Sequence, residues 1–437
     1  MDMKIYAAEL SGTLRAVTSK SDAHRCLICA ALCDEPTDIA ISELNRDIEA
    51  TFDCLSALGA SITQISKEIW RVGPAAKDLK LALLNCQESG STLRFLLPVA
   101  AALCQSAEFK GTGRLPQRPI SPLREALKAN GVRFTGVHLP LTIHGRMTPG
   151  RFTLPGDISS QYITGLLMAL PLLDGDSEII LTTPLESAGY VNMTLRTLAL
   201  YNITVTTLPD GAGYQINGRQ KYRSPKFIKP EGDWSNAAFW MAAGAIKAPI
   251  TVEGLDPQSA QGDREIVALL EQFGAKTQQE DGRISVSPAP LKGVTIDAAA
   301  IPDLVPILAV VACAANGTTR ITNASRLRIK ESDRLKTVAE SLNALGGKVT
   351  ELSDGLIIEG TGHLCGGEIS SHNDHRIAMA MSIAAVLCRN PVIIRDAMAV
   401  EKSYPKFYED YKCLGGNADV IELWKTLKSN GLWAVAQ

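Results

Sequence analysis

The sequence is poor in aromatic side chains, has no excess of either charge and lacks a long apolar segment. Phe, Tyr and Trp make up 5% of the 437 residues, and 44 basic residues stand against 46 acidic ones. Nucleic-acid-binding surfaces need clustered Lys and Arg, so this balance argues against such a partner. The apolar runs 304–315 and 377–388 are shorter than the roughly 18 to 20 residues that a membrane-spanning helix requires. We therefore expect neither nucleic acid nor a membrane as a partner.

Targeting and metal-binding signals are also missing. Residues 1–10 contain no basic segment followed by an apolar run, so we expect a cytoplasmic protein. Cys26, Cys29 and Cys33 are close together but lie on an apolar segment, where thiols pack as small hydrophobic groups. His372 and His375 lack a third ligand at a suitable spacing. No metal is expected.

What the sequence does contain is a sixfold repeat of about 70 residues. Each repeat contains an amphipathic helix, and the residue that ends this helix is one that readily adopts a left-handed backbone conformation. The six closing residues are Gly59, Gly131, Asn202, Gly274, Gly346 and Gly415. A strand, a turn and another strand follow, with Asp-Gly turns predicted at 210–211, 281–282 and 354–355.

A second helix in each repeat is apolar on all sides, which predicts burial. These helices are predicted to begin near Ser21, Ser91, Gln161, Ser235, Asp303 and Asp374. Each repeat is therefore an α/β unit with one buried and one exposed helix on a small sheet. Two domains of three units are expected, with the boundary in the proline-containing connection 221–233.

Basic and polar residues gather where the predicted helices begin. Helix N-termini already attract anions, and extra cations there oppose the helix dipole. One such residue is more often a cap or a solvated side chain. The segment 330–334 fits either an exposed capping turn or a functional site. Many such cations together favour the binding of anions.

Six short motifs, in order and in register, closely resemble the 5-enolpyruvylshikimate-3-phosphate synthase family from about Lys4 to Phe407. The motifs are Ser19-Lys20-Ser21 through Arg25, Ser89-Gly90-Ser91-Thr92-Leu93-Arg94, Arg118-Pro119-Ile120, Ser159-Ser160-Gln161, Lys330-Glu331-Ser332-Asp333-Arg334 and Asn373-Asp374-His375-Arg376. The resemblance implies an α/β fold of two globular domains, each with three βαβαββ repeats and buried parallel helices (an inside-out α/β barrel). The domains would comprise 1–18 with 231–437, and 19–230, with the active site in the interdomain cleft and closure on substrate.

The same resemblance implies a transferase of the shikimate pathway. It would move the enolpyruvyl (carboxyvinyl) group of phosphoenolpyruvate to the 5-hydroxyl of shikimate 3-phosphate through a tetrahedral intermediate. Phosphate would be released, and no cofactor would be needed. We expect a monomer whose partners are these two small molecules.

Site residues follow from the family's pattern. Shikimate 3-phosphate would contact Lys20, Ser21, Arg25, Ser159, Ser160, Gln161, Ser187, Tyr190, Asp303 and Lys330. Phosphoenolpyruvate would contact Lys20, Gly90, Arg94, Arg118, Gln161, Arg334, His375, Arg376 and Lys402. Proton transfer would be shared by Asp303, Glu331 and Lys20.

Several positions depart from the commonest family pattern. Glu88 stands where many relatives have Asn, Arg326 where some have Asn, and His24 where Asn is frequent. Ala188-Gly189 replaces a more usual Lys-Pro pair. Gly90 is expected to leave open space beside the phosphoenolpyruvate site, a feature that bears on glyphosate inhibition in this family.

Two alternatives remain at this stage. A UDP-N-acetylglucosamine enolpyruvyl transferase shares the six-unit architecture but usually carries a reactive cysteine where 113–118 has none. A six-unit clamp around nucleic acid would need the basic surface that the composition lacks.

Overall fold

The computed structural model describes residues 1–421, and the last part of the predicted C-terminal domain, 422–437, lies outside the described residues. The strands are β1 (Asp2–Tyr6), β2 (Gly12–Arg15), β3 (Thr37–Ala40), β4 (Ile62–Ser66), β5 (Ile69–Val72), β6 (Ala82–Asn85), β7 (Ser106–Lys110), β8 (Arg133–Thr135), β9 (Leu141–His144), β10 (Arg151–Leu154), β11 (Ser177–Leu181), β12 (Thr206–Thr207), β13 (Gly213–Ile216), β14 (Phe227–Ile228), β15 (Ile250–Glu253), β16 (Lys276–Glu280), β17 (Arg283–Ser287), β18 (Thr295–Asp297), β19 (Gly317–Thr322), β20 (Lys348–Glu351), β21 (Leu356–Gly360), β22 (Gly367–Ser370), β23 (Val392–Arg395) and β24 (Asn417–Ile421). The α-helices are α1 (Lys20–Ala31), α2 (Arg46–Ala57), α3 (Gly90–Leu103), α4 (Ser121–Ala129), α5 (Ser160–Ala169), α6 (Ala188–Leu200), α7 (Trp234–Ile246), α8 (Ile266–Phe273), α9 (Val305–Ala314), α10 (Arg334–Ala344), α11 (His375–Ala384) and α12 (Phe407–Cys413).

The strands form six sheets of four that share one pairing pattern. Their orders are β14-β3-β5-β4, β6-β7-β9-β8, β10-β11-β13-β12, β2-β15-β17-β16, β18-β19-β21-β20 and β22-β23-β1-β24. In each order the first two strands are parallel, and the remaining neighbours are antiparallel. A buried helix connects the parallel pair in a regular unit such as β6-α3-β7. The predicted α/β fold of βαβαββ repeats is confirmed.

Three of the sheets are completed by strands from distant parts of the chain. β1 lies between β23 and β24 and pairs antiparallel with both. β2 pairs parallel with β15, and β14 pairs parallel with β3. The N-terminal residues therefore belong structurally with the last repeats.

The described chain separates into two units of three sheets each. One unit contains Met1–Ala16, Trp234–Leu255 and the chain from Asp263 onward; the other contains Val17–Asp233 and Asp256–Gly262. The short segment Asp256–Gly262 differs from the expected domain limits because it is hydrogen-bonded to the second unit. Gln261, for example, donates from Nε2 to the carbonyl oxygen of Gly232 at 2.8 Å.

All six closing residues adopt the predicted left-handed backbone. Their φ angles lie between 61° for Asn202 and 113° for Gly274. The predicted hairpin turns are also present, and both residues of the turns at 210–211 and 281–282 have positive φ, as a two-residue type I′ turn requires. The turn at 354–355 lies in a longer loop, closed by a hydrogen bond from the Leu352 amide to the Gly355 carbonyl.

The six apolar helices form the interior of the two units. In one unit α7, α9 and α11 contact each other, and in the other α3 contacts both α1 and α5. They begin within two residues of the predicted starts, and a 3₁₀ turn, Pro302–Leu304, precedes α9. Gly165 of α5 permits a close approach, because an added Cβ would lie 2.4 Å from the Arg94 carbonyl oxygen of α3. No helix within residues 1–421 is both long and apolar enough to cross a membrane.

The cysteines on these helices or just after them have the predicted core environment. Cys26, Cys29 and Cys33 are at most 1% exposed. Burial raises the pKa of Cys33 and of Cys313 to about 12, so both are neutral thiols near pH 7. In the described part of the chain, no three His, Cys, Asp or Glu side chains are grouped in a way that would hold a metal ion.

Candidate active site

Lys20 is the first residue of α1 and forms an ion pair with the first turn of α2. Its Nζ lies 2.8 Å from Oδ2 of Asp47, and both side chains are about 15% exposed. The α1 N-terminus is capped by Ser19, and the Lys20 amide donates to Asp233 at 3.1 Å. Lys20 therefore presents a cation near a partly accessible helix N-terminus.

Arg25 lies one turn further along α1 and is 2% exposed. Its guanidinium donates to the Thr194 hydroxyl at 2.8 Å, the Ser21 carbonyl at 2.5 Å and the Tyr190 carbonyl at 2.9 Å. Burial lowers the pKa of Arg25 to about 10, despite the nearby charge of Asp22. The group remains charged at neutral pH and joins α1 to the start of α6.

A second set of candidate site residues lies at the starts of α3 and α5 and includes two arginines. Arg94 donates to Oε1 of Gln161 at 2.7 Å, and Gln161 donates from Nε2 to the Ser91 hydroxyl at 3.0 Å. The structure therefore brings Arg94 and Gln161 into direct contact. The neighbouring Arg118 precedes α4 and is half-buried.

Gly90 does not leave the open space that the sequence suggested. A Cβ built on it would lie 2.7 Å from Nη1 of Arg94 and 2.7 Å from Nη1 of Arg118. The prediction of open space is wrong, because two guanidinium groups fill the volume next to the glycine. The first residue of α3 is thus packed directly against two of the candidate anion-binding cations.

The predicted serines lie at helix starts of the same unit. Ser159 caps α5 by accepting from the Gln161 amide, and Ser160 is its first helical residue. Ser187 precedes α6 with a left-handed backbone, φ 54°, and is 5% exposed, whereas Tyr190 is half-buried.

The other unit holds a buried cluster centred on Arg334, the first residue of α10. Asp374 accepts two hydrogen bonds from this guanidinium, from Nε at 2.8 Å and from Nη2 at 3.1 Å. Asp303 and Glu331 each accept another at 2.7 Å. Because Arg334 is 1% exposed, three carboxylates compensate a fully desolvated cation.

Asp303, in the 3₁₀ turn before α9, is surrounded by three positive charges. Besides Arg334, it lies 3.2 Å from Nη2 of Arg376 and 3.5 Å from Nζ of Lys330. Burial opposes ionisation of this carboxyl, but the charges of Arg376, Lys330 and Arg334 hold its pKa well below the ordinary value. Burial also lowers the pKa of Lys330, an effect that Asp303 partly opposes.

The remaining predicted residues lie at the start of α11 and just before α12. His375 and Arg376 open α11 and are buried. Lys402 ends a 3₁₀ segment, Ala397–Lys402, and donates to the Asn373 carbonyl at 2.6 Å. The structure thus brings Asp303, Lys330, Glu331 and both arginines together, with Lys402 attached to the neighbouring loop.

Two acidic residues of these clusters were missed as site residues. Asp374 was named as a helix start and as part of the motif at 373–376 but was given no role, although it is fully buried and accepts from Arg334 and from the Ser332 hydroxyl. Asp47, the partner of Lys20, was not singled out. Its position in the first turn of an amphipathic helix was the only available signal, and an acidic residue is common there.

Comparison with known proteins decides the family. Residues 6–411 match the family described as EPSP synthase (3-phosphoshikimate 1-carboxyvinyltransferase). The chain belongs to the EPSP synthase family. This confirms the resemblance inferred from the six motifs.

Curated members of the EPSP synthase family are similar over nearly their full length. The 3-phosphoshikimate 1-carboxyvinyltransferase of Clostridium kluyveri is 42% identical, covering 95% of this chain and 98% of the relative. The enzyme of the same name from Clostridium acetobutylicum is 43% identical, covering 95% and 97%.

Solved structures agree with the fold. An EPSP synthase from Acinetobacter baumannii has a TM-score of 0.80 at 26% identity, covering 96% of this chain and 100% of that one. The enolpyruvyl transferase NikO from Streptomyces tendae has a TM-score of 0.79 at 18% identity, covering 96% and 98%, which shows a shared fold.

Proposed function

We propose that the chain transfers the enolpyruvyl group of phosphoenolpyruvate to the 5-hydroxyl of shikimate 3-phosphate, forming 5-enolpyruvylshikimate 3-phosphate and phosphate. Membership of the EPSP synthase family supports this reaction and a role in the shikimate pathway. The structural observation that carries the proposal is the set of basic side chains at helix starts in both units. Two substrates with phosphate and carboxylate groups require such positive charge.

Shikimate 3-phosphate is assigned to residues that cluster around α1, α5 and α6, together with two residues near α9 and α10. They are Lys20, Ser21, Arg25, Ser159, Ser160, Gln161, Ser187, Tyr190, Asp303 and Lys330. Short hydroxyl side chains at the α5 and α6 starts suit phosphate and ring hydroxyl groups. Arg25 supplies a fixed charge, because its guanidinium is already held by four hydrogen bonds.

Phosphoenolpyruvate is assigned to the richer set of cations. This set comprises Lys20, Gly90, Arg94, Arg118, Gln161, Arg334, His375, Arg376 and Lys402. Planar guanidinium groups bind carboxylate and phosphate in a bidentate manner, which lysine does not. The carboxylates of Asp374 and Asp303, to which Arg334 donates, support this assignment, because the guanidinium already binds groups of the same kind.

Proton transfer is assigned to Asp303, Glu331 and Lys20. The attacking hydroxyl oxygen bonds to C2 of phosphoenolpyruvate and loses its proton, while C3 gains one to give the tetrahedral intermediate. Loss of phosphate and of one methyl proton then forms the enol ether. Phosphoenolpyruvate competes with Asp303 for Arg334 and Arg376, and we infer that this raises the Asp303 pKa and makes the carboxylate a better base.

Phosphate release tests the activity. Purified protein is incubated with phosphoenolpyruvate and either shikimate 3-phosphate or UDP-N-acetylglucosamine, with Arg334→Met as a matched negative control. Release that depends on shikimate 3-phosphate and is lost in Arg334→Met supports the proposal. Release only with the nucleotide sugar, or with neither acceptor, contradicts it.

The assembly and location of the protein are part of the proposal. A monomer with both units in one chain contains every assigned residue, and light scattering after gel filtration would measure its mass. We propose the cytoplasm as the compartment, and cell fractionation followed by immunodetection would test it.

A further inference from the structure

A chain of buried hydrogen bonds connects helices α1, α2 and α3 beneath the residues assigned to substrate. Nδ1 of His24 lies 2.8 Å from the Thr51 hydroxyl, and that hydroxyl lies 2.7 Å from the Thr92 hydroxyl. Thr92 in turn donates to the Ser89 hydroxyl oxygen at 2.7 Å. All four side chains are 0% exposed. The hydrogen-bond chain is therefore shielded from bulk solvent.

The shortest bonds give one order of protons along this chain. Each hydroxyl has one proton, and the hydroxyls of Thr51 and Thr92 each also lie 3.4 Å from the Asp47 carbonyl, a longer contact than the 2.7 Å bonds of the chain. With the protons in the shorter bonds, Thr92 donates to Ser89, Thr51 donates to Thr92, and Nδ1 of His24 donates to Thr51. This order makes His24 the Nδ1–H tautomer, and its buried Nε2, which meets no partner within residues 1–421, is then the bare nitrogen.

The surroundings of His24 keep its ring neutral and in a fixed orientation. Burial, with smaller effects from the charges of Lys20 and Arg25, holds the pKa of His24 well below the ordinary value. The ring lies edge-on to Phe95 of α3, with 6.2 Å between centroids and an 88° angle between planes. A neutral ring held in this way has one stable donor, which is directed at Thr51.

The hydrogen bonds form two parallel connections between α1 and α2. Lys20 pairs with Asp47 at 2.8 Å, and four residues later on both helices His24 meets Thr51. One helical turn separates the two connections, so they fix the two helices in a single register. The position of the Lys20 amine along α2 depends on that register.

The far end of the hydrogen-bond chain is the cap of α3. Ser89 accepts from the Thr92 amide at 3.2 Å and is the N-cap residue of the helix that begins at Gly90. Arg94 lies on the first turns of the same helix and donates to Gln161. A change at His24 therefore reaches Lys20 through α2 and Arg94 through the α3 cap.

We propose that His24 is a positioning residue for catalysis, which acts through Thr51, Thr92 and Ser89 to fix where Lys20 and Arg94 meet the substrates. It touches neither substrate in this account. The inference rests on the proposed function, because its effect is read in the binding and turnover of phosphoenolpyruvate. It adds a role for a side chain that the family motifs left without one.

Three single variants, the double variant His24→Leu/Thr51→Val and one matched control test the proposal. His24→Leu removes the donor, and Thr51→Val removes the next hydroxyl without touching the histidine. His24→Asn keeps a donor, because an Asn amide nitrogen can occupy the position of Nδ1. Ser382→Ala, which removes a buried hydroxyl from α11 in the other unit, is the matched control.

We expect His24→Leu and Thr51→Val each to lower kcat/KM for phosphoenolpyruvate about tenfold, since small displacements of positioning groups are costly. The double variant His24→Leu/Thr51→Val should have a kcat/KM no more than about threefold below that of either single variant, because both substitutions break the same hydrogen-bond chain. His24→Asn should recover to within about threefold of wild type, and Ser382→Ala should stay within about twofold. Equal losses in His24→Asn and His24→Leu, or an unaffected Thr51→Val, would overturn the proposal.

Nitrogen-15 NMR of the histidine side chains gives a second, activity-independent readout. The network predicts that His24 is the Nδ1–H tautomer and that its ring stays neutral near pH 6.5, where an ordinary histidine is half protonated, because its pKa is well below that value. An Nε2–H tautomer would overturn the proton order and with it the proposal. If wild type released no phosphate with shikimate 3-phosphate, the proposed function would fail instead. Even then, two measurements would test whether the hydrogen-bond network exists. One is the His24 tautomer. The other is the unfolding free energy of His24→Leu, Thr51→Val and the double variant, in which the losses of the two single variants should not add up.

Discussion

Single residues at the helix starts hold the cations of the site in place. Arg334 makes four charge-assisted hydrogen bonds to three carboxylates, so its fork has little freedom. Arg94 and Arg118 instead approach a glycine that has no side chain to separate them from α3. Arg334 is therefore fixed by carboxylates, whereas Arg94 is held by neutral acceptors, the Gln161 side chain and the Pro119 carbonyl.

Gly90→Ala should weaken phosphoenolpyruvate binding. The added methyl group would displace the guanidinium groups of Arg94 and Arg118, each 2.7 Å from its position. We expect KM for phosphoenolpyruvate to rise about tenfold, with a smaller change in kcat. Steady-state kinetics with each substrate varied in turn would measure this, and KM for shikimate 3-phosphate is the internal control. An unchanged KM for phosphoenolpyruvate would show that the two arginines do not bind it.

The ionised Asp303 predicts a pH-dependent contribution to stability. Its folded-state pKa is lowered, so the carboxylate stabilises the fold above the unfolded-state pKa of about 3.9. That contribution is lost as pH falls through the lower folded-state value. The unfolding free energies of wild type and Asp303→Asn should therefore differ most above about pH 5 and converge in acid. Urea titrations at several pH values would test this, with Asp210→Asn in an exposed turn as the control; a constant difference would contradict it.

At the scale of elements, the packing of α3 against α5 depends on Gly165. A Cβ there would lie 2.4 Å from the Arg94 carbonyl oxygen and 3.2 Å from the Phe95 Cα, both of which are main-chain atoms. Helix propensity alone predicts that Gly165→Ala stabilises the protein by about 1 kcal/mol. The structure predicts the opposite sign, a loss of about 1–3 kcal/mol through overpacking. Urea unfolding of wild type and Gly165→Ala would decide between the two predictions. A variant more stable than wild type would contradict the structural prediction, because it would show that α3 and α5 can move apart without a loss of stability.

Elements that depend on local sequence were predictable, whereas those that depend on distant contacts were not. The six closing residues and the apolar helices follow from backbone sterics and hydropathy, which act over a few residues. The pairing of β1 with β23 and β24 joins opposite ends of the described chain, and only the family resemblance suggested it. The space beside Gly90 was predicted incorrectly, because arginine rotamers are set by tertiary contacts.

The candidate site shows the same division. The motifs indicated which residues to expect, including Arg334 and Asp303. They did not indicate that Asp374 would be the main acceptor for Arg334, or that His24 would reach Thr51 of the next helix. Both contacts join side chains on different elements, so no spacing within one motif reveals them.

At the scale of the whole molecule, β1 ties the first residues to the last repeats. Met3 and Ile5 are at most 2% exposed, while the neighbouring Lys4 faces the other side of the sheet and is half-buried. Ile5→Asp should lower the unfolding free energy by about 3 kcal/mol or more, since it places a carboxylate in the core. Lys4→Asp, one residue away, should cost less than about 1 kcal/mol. Chemical denaturation would measure both unfolding free energies. Similar losses for Ile5→Asp and Lys4→Asp would show that β1 is not anchored in the core through Ile5.

The reaction in deuterium oxide, followed by proton NMR, would distinguish the proposed route from its alternatives. If this chain joins phosphoenolpyruvate to shikimate 3-phosphate by addition and elimination, C3 first gains a solvent-derived proton and then loses one. We expect 5-enolpyruvylshikimate 3-phosphate with deuterium in its vinyl methylene group. A product without deuterium would contradict the tetrahedral route, and the absence of any product from these two substrates would contradict the function itself.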